Sequence, residues 1–149
     1  RLYMFGTGTG LAPFMSIIRD PDTYEKFEEV VLVHGCRLVS ELAYRDYITQ
    51  ELPAHEFLGE TVRQQLKYYP TVTREDFPTK GRIPDLIESG QMARDLALPE
   101  LNPTTDRVML CGSPQMLKSI KEVLEKRGFN EGNTTTPGDY VVERAFVDQ

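Results

Sequence analysis

The run Phe5-Gly6-Thr7-Gly8-Thr9-Gly10-Leu11-Ala12-Pro13-Phe14 constrains this chain more than any other segment. Three glycines alternate with two threonines directly after the apolar run Leu2-Tyr3-Met4-Phe5, and Pro13 then opens a helical pattern. Glycine lets the backbone turn tightly and approach a ligand closely. A strand, a glycine-rich turn and a helix in series aim backbone N–H groups and the positive end of a helix dipole at one point. That point suits a phosphate or a pyrophosphate. The motif is not a Walker A loop, because no Gly-Lys-Ser/Thr follows, so phosphoryl transfer is disfavoured. Nor is it G-x-G-x-x-G: Gly6, Gly8 and Gly10 give G-x-G-x-G, and the sixth position is Leu11. Taken alone, the turn also reads as a tight strand–helix connection without a ligand.

The remaining chain decides between these readings. Its 149 residues suffice for one domain. A chain of this size buries roughly 68–70% of its unfolded surface, enough for a real core. No apolar run approaches the ~20 residues of a membrane span, and no signal peptide opens the chain. The sequence starts at Arg1, without Met, on a core-like strand; it reads as an excised domain. A net charge of −6, from 17 basic and 23 acidic residues, argues against nucleic acid as the main partner. Cys36, Cys111, His34 and His55 lack metal-ligand spacing, so no metal site is expected. His34 reads as a strand residue and His55 as a surface residue. Reducing, cytoplasmic surroundings fit the cysteine usage.

Apolar runs alternate with helical patterns. Strands are expected over Leu2–Phe5, Glu29–Gly35, Leu66–Thr73, Arg107–Cys111 and Asp139–Phe146. The second is a continuous β-branched run, as buried parallel strands show, and Pro70 interrupts the third. Helices are expected over Leu11–Arg19, stopped by Asp20-Pro21-Asp22, and from an N-cap at Ser40 to about Leu52. A further helix starts at Pro84–Glu88, and another runs from the cap Ser113-Pro114 through Lys126 to Gly128. Thr73–Gly81 and Glu131–Gly138 are the expected flexible loops. This alternation implies a three-layer αβα, Rossmann-like domain with a mostly parallel five-stranded sheet. Ligands of such sheets bind beyond the C-terminal strand ends. Gly6–Gly10, Cys36-Arg37, Arg74 and Cys111-Gly112-Ser113 all fall there, and their convergence is stronger evidence than any of them singly.

Arg37 follows the second strand, where dinucleotide folds face the adenosine ribose; an arginine there suits the 2′-phosphate of NADP(H). Arg74 and Arg82 flank the next loop with Lys80 beside them, and a guanidinium grips phosphate with forked, charge-assisted donors. The alternative is three solvated surface arginines. In Cys111-Gly112-Ser113-Pro114-Gln115-Met116, Gly112 permits close backbone approach and the helix start again favours phosphate. Cys111 reads as a nucleophile activated by that helix end, as a soft wall against a flat ring, or as a buried strand-end thiol. No histidine has an obvious claim to partner it, which disfavours the nucleophile.

These residues occur in the order Gly6-Thr7-Gly8-Thr9-Gly10-Leu11-Ala12-Pro13, Val33-His34-Gly35-Cys36-Arg37, Glu41-Leu42-Ala43-Tyr44, Thr73-Arg74-Glu75, Gly81-Arg82-Ile83-Pro84, Cys111-Gly112-Ser113-Pro114 and Glu143-Arg144-Ala145-Phe146-Val147. The ordered set resembles the NADP(H)-binding domain of bacterial-type ferredoxin/flavodoxin–NADP(+) reductases over essentially the whole chain. The resemblance implies that the glycine loop holds the NADP(H) pyrophosphate, with Thr9 adding its hydroxyl. It implies that Arg37, Arg74 and Arg82 hold the 2′-phosphate. Pro13, Gly112, Ser113, Pro114 and Met116 join the expected cofactor-binding set. Cys111 and Glu143 would stand where nicotinamide meets flavin, as the catalytic pair. Ala145 matches the position facing the isoalloxazine ring of FAD, and Phe146 and Val147 the extension toward its adenine; ordinary core packing is the other reading of Phe146. Hydride would pass between nicotinamide and FAD, and the flavin would exchange single electrons with ferredoxin or flavodoxin.

The family's FAD-binding β-barrel and its Arg-x-Tyr-Ser/Thr-type motif are absent from the sequence. The expectation is a domain, residues 1–149, that binds NADP(H), holds FAD weakly or not at all, and is inactive as a reductase alone. The apolar face such a barrel would cover is a candidate for self-association. A stand-alone nucleotide-binding redox sensor and the reductase component of an oxygenase system are the alternatives. The latter class usually carries clustered iron–sulfur cysteines, which are lacking here.

Overall fold

Leu2–Thr7 is buried at every position except its last, as a strand covered on both faces must be. In the computed structural model, which describes residues 1–133 and 135–143, this strand (β1) lies at the centre of a five-stranded sheet. It is flanked by Val30–Cys36 (β2) and Arg107–Cys111 (β4), with Leu66–Val72 (β3) and Tyr140–Val142 (β5) at the edges, in the order β3-β2-β1-β4-β5. Every pairing is parallel, with Leu2 opposite both Val30 and Arg107. The chain builds outward from β1 to β3, then crosses back to place β4 on the other side. That reversal creates a switch point at the C-terminal edge, between the loops after β1 and β4.

The period of two along each strand sorts the side chains into two cores. Tyr3, Phe5, Val31, Val33, Val108 and Leu110 face Ile83–Glu88 (α4), Gln91–Leu96 (α5) and Pro114–Lys126 (α6). Leu2, Met4, Val30, Leu32 and Cys111 face Ala12–Ile18 (α1), Pro21–Lys26 (α2) and Gly59–Gln65 (α3). The result is the expected three-layer αβα sandwich. Pro70, with no N–H to donate, is accommodated because β3 is an edge strand paired with β2 alone. Among the described residues, no helix is long and apolar enough to cross a membrane.

Several local expectations need correction. Asp20-Pro21-Asp22 stops one helix and starts another: the Asp20 carboxylate accepts the Asp22 N–H at 2.9 Å and caps α2. The helix expected from Ser40 to Leu52 does not form as one α-helix from Ser40: a 3-10 turn over Val39–Glu41 breaks off, and helical structure resumes only after Tyr44. The Glu41 side chain turns back onto the Arg37 and Leu38 N–H groups, and Tyr44 has φ +68°, a left-handed kink no helix contains. The chain then passes through a π-helical turn, Tyr47–Glu51, and a 3-10 turn, Leu52–Ala54. Helices α3 and α5 are additional to those expected. The Thr73–Gly81 loop is folded back on β3: Gly81 N–H donates to the Val72 carbonyl at 3.0 Å and the Thr71 hydroxyl to that of Gly81 at 2.8 Å. The last strand is described as far as Val142, and Phe146, its expected end, lies outside the described residues.

Candidate functional site

Beyond the C-terminal ends of all five strands lies a cavity of about 820 Å³. Its floor is the glycine loop. Gly8 N–H donates to the Gly35 carbonyl and Gly10 N–H to that of Thr7, at 3.0 and 2.8 Å. The loop is welded to the one after β4: Thr7 Oγ1 accepts the Ser113 N–H at 3.3 Å, and a Cβ at Gly10 would stand 2.8 Å from the Cys111 carbonyl oxygen. Glycine is required there for space. Ser113 then caps α6, its Oγ accepting the Met116 N–H at 3.4 Å, and Pro114 occupies the first turn. This 13-residue helix directs its positive end at the cavity.

Thr7, Gly8, Thr9, Gly10, Arg37, Arg82, Cys111, Gly112, Ser113, Pro114, Met116 and Glu143 all line this one space. Gly6 lies beneath it, a buried β1 residue. Pro13 sits in the first turn of α1 and does not reach the lining. Arg74 is also outside the lining, but its N–H donates to the Arg37 carbonyl at 2.9 Å, so both residues leave adjacent backbone at the same corner. Ala145, Phe146 and Val147 fall outside the described residues. Arg37, Arg74 and Arg82 are solvent-exposed, and among the described residues none is ion-paired. These three guanidinium groups stand on the β2–β3 flank beside the carboxylates of Glu41 and Glu75, which accept backbone N–H groups there and leave the guanidinium donors open to a ligand.

Cys111 is buried yet contributes to the wall, and Glu143 emerges beside it, its N–H donating to the Leu110 carbonyl at 2.7 Å. Gly35, Cys36, Glu41, Thr73, Gly81, Ile83, Leu117 and Val142 complete the lining and are additional to the residues expected there. Glu41 matters most. Its Oε1 accepts both the Arg37 and Leu38 N–H groups, at 3.1 and 3.0 Å, and fixes the backbone from which Arg37 projects. Its four-residue spacing from Arg37 is the signal the sequence offers. Cys36 is not a reactive thiol: burial, then the nearby Glu41 charge, push its pKa up to about 11. The two histidines divide as expected. His34 is fully buried on β2, while the exposed His55 caps a turn with Nδ1 accepting the Phe57 and Leu58 N–H groups at 3.1 Å.

Comparison with known proteins agrees with this geometry. The model of the family described as "Oxidoreductase NAD-binding domain" matches residues 4–122. A ferredoxin–NADP reductase A of Sorangium cellulosum is 57% identical over 99% of this chain and 53% of its own length. A ferredoxin–NADP reductase of Azotobacter vinelandii is 55% identical over 99% of this chain and 58% of its own. The chain thus spans somewhat over half the length of these relatives. A ferredoxin NADP+ reductase of Neisseria gonorrhoeae, solved with FAD and NADP bound, superposes with a TM-score of 0.82 at 29% identity, covering 95% of this chain and 55% of its own. With its parallel sheet, its glycine loop and a matching family model across most of its length, this chain belongs to the oxidoreductase NAD-binding domain family.

Proposed function

We propose that this chain is the NADP(H)-binding half of a ferredoxin/flavodoxin–NADP+ reductase. The observation that carries the reading is the single cavity joining the glycine loop to a corner lined by Arg37 and Arg82. The loop and the α6 N-terminus offer N–H donors suited to a pyrophosphate. Arg37 and Arg82, with Arg74 at their shoulder, suit the 2′-phosphate that separates NADP(H) from NAD(H). The cavity's size is within the roughly 300–1,000 Å³ of small-molecule and cofactor sites.

The bound nucleotide supplies hydride chemistry; the protein supplies position and electrostatics. Thr9 offers its hydroxyl to the pyrophosphate. Glu41 holds the Arg37 backbone so that the guanidinium projects at the 2′-phosphate. Cys111 and Glu143 wall the β4–β5 end, where the nicotinamide would lie: the thiol is a small, soft surface for a flat ring, and the carboxylate a hydrogen-bond acceptor. The names of the relatives support FAD as the second cofactor and ferredoxin or flavodoxin as the electron carrier. A cytoplasmic setting belongs to the same reading.

Calorimetric titration with NADP+ and NAD+ in parallel, repeated on Arg37→Ala, tests the reading. NADP+ should be strongly preferred. The substitution should weaken NADP+ by roughly 1.5–3 kcal/mol, a lost charged hydrogen bond, and leave NAD+ unchanged. Equal binding of the two nucleotides would refute the 2′-phosphate site.

A further inference from the structure

His34 is fully buried in the middle of an apolar face of β2, with Leu32 and Val30 before it. Its Nε2 lies 2.8 Å from the carbonyl oxygen of Gly8, at the tip of the glycine loop. A carbonyl only accepts, so Nε2 carries the proton. Nδ1 is then a buried acceptor, and no partner for it exists among the described residues. The Cys36 thiol packs 3.3 Å from the same Nε2 and donates instead to the Glu41 carbonyl at 3.3 Å. An apolar side chain here would avoid burying an unsatisfied nitrogen. What the imidazole adds is one donor, aimed at one peptide of the loop.

That peptide has a defined consequence. Among the described residues every peptide bond is trans, so the Gly8 carbonyl and the Thr9 N–H point in opposite directions. Holding the carbonyl down against His34 turns the Thr9 N–H up, away from β2. No protein acceptor for that N–H exists among the described residues. Gly8 sits at φ +56°, the left-handed conformation this orientation needs, and Gly8 and Thr9 are both exposed on the cavity lining. We propose that His34 is a positioning residue for nucleotide binding: its Nε2–H locks the Gly8–Thr9 peptide so that the Thr9 N–H is presented to the pyrophosphate. The proposal rests on the nucleotide reading above.

The test compares His34→Met, of similar volume but without a donor, with His34→Gln, whose amide donates from nearly the Nε2 position. The ligands are NADP+ and 2′-AMP, the latter bearing the 2′-phosphate and nothing that reaches the glycine loop. His34→Met should bind NADP+ about three- to tenfold more weakly, as one neutral hydrogen bond predicts, with 2′-AMP affinity and thermal midpoint held. His34→Gln should restore NADP+ affinity. Equal weakening of both ligands, or no weakening of NADP+, overturns the proposal. So does a His34→Gln variant as weak as His34→Met. Nitrogen chemical shifts of His34 in the intact, unsubstituted protein give an answer that no folding defect can obscure: a protonated Nε2 supports the lock, and a protonated Nδ1 overturns it. If the unsubstituted protein binds 2′-AMP and NADP+ no better than adenosine, the nucleotide reading itself has failed and the proposal falls with it. Retained binding with an indifferent His34 removes the proposal alone.

Discussion

A methyl group added at Gly112 would run into the Thr7 side chain, and its φ of +148° is a conformation that L side chains rarely adopt. Gly8 also has positive φ, +56°, but an added Cβ meets nothing within 4 Å. Gly8→Ala should therefore cost only the left-handed strain, about 1–2 kcal/mol. Gly112→Ala should cost more than about 3 kcal/mol, strain and collision together, and weaken NADP+ by parting the two loops. Urea unfolding of both variants checks the ranking. His34 makes a separate prediction about pH. Burial lowers its pKa from 6.5, so the folded chain resists the proton that the unfolded chain accepts. Stability is then fully present above about pH 6.5 and falls below it, by up to about 1.4 kcal/mol per pH unit for this one group. Unfolding curves between about pH 7.5 and 5, on either side of the ordinary histidine value, should show this loss, and His34→Gln should remove it.

The elements show what the sequence made legible. The three central strands β1, β2 and β4 were readable because central parallel strands are near-continuous apolar runs, and Val30-Val-Leu-Val33 permits little else, while the edge strands β3 and β5 were readable from their aromatic and β-branched residues. Helix α6 was readable from Ser113-Pro114 at its start and Gly128 beyond its end, signals that act locally. The segment after β2 misleads because Ser40 imitates an N-cap while Glu41 commits its carboxylate to backbone N–H groups four and three residues upstream, at Arg37 and Leu38. Helices α2 and α5, six residues each, carry too little periodicity to announce themselves. Within the cavity lining, Gly8, Gly10, Gly112, Arg37 and Arg82 stand where their positions after strands put them; Arg74 does not line it, Glu41 offered only its spacing from Arg37, and His34 offered nothing, because its partner is a backbone carbonyl that only the folded chain reveals. Helix α5 carries its own prediction. It ends on Ala97 at φ +57°, ψ +42°, a left-handed cap that glycine fills without strain. Ala97→Gly should stabilise the chain by roughly 0.5–1 kcal/mol net of the added unfolded-state entropy, read as a higher urea midpoint at unchanged slope.

At the scale of the molecule, the site belongs to no single layer. Its lining comes from the segments after all five strands, so a ligand bridging them ties both sides of the sheet together. NADP+ at about a hundredfold excess over its dissociation constant should add about 2.7 kcal/mol of stability. For a domain of this size that is roughly 5–10 °C in thermal midpoint. NAD+ at the same concentration should give far less, and scanning calorimetry distinguishes the two. The strand order has a consequence for timing. Of the five strands β1 is translated first and pairs with β2, the next of them to emerge, yet its other edge waits for Arg107–Cys111. While the ribosome is still translating the intervening segment, the glycine loop exists but half its walls do not. Competence to hold a dinucleotide therefore waits for β4, and until then the edge of β1 destined for it stands unpaired.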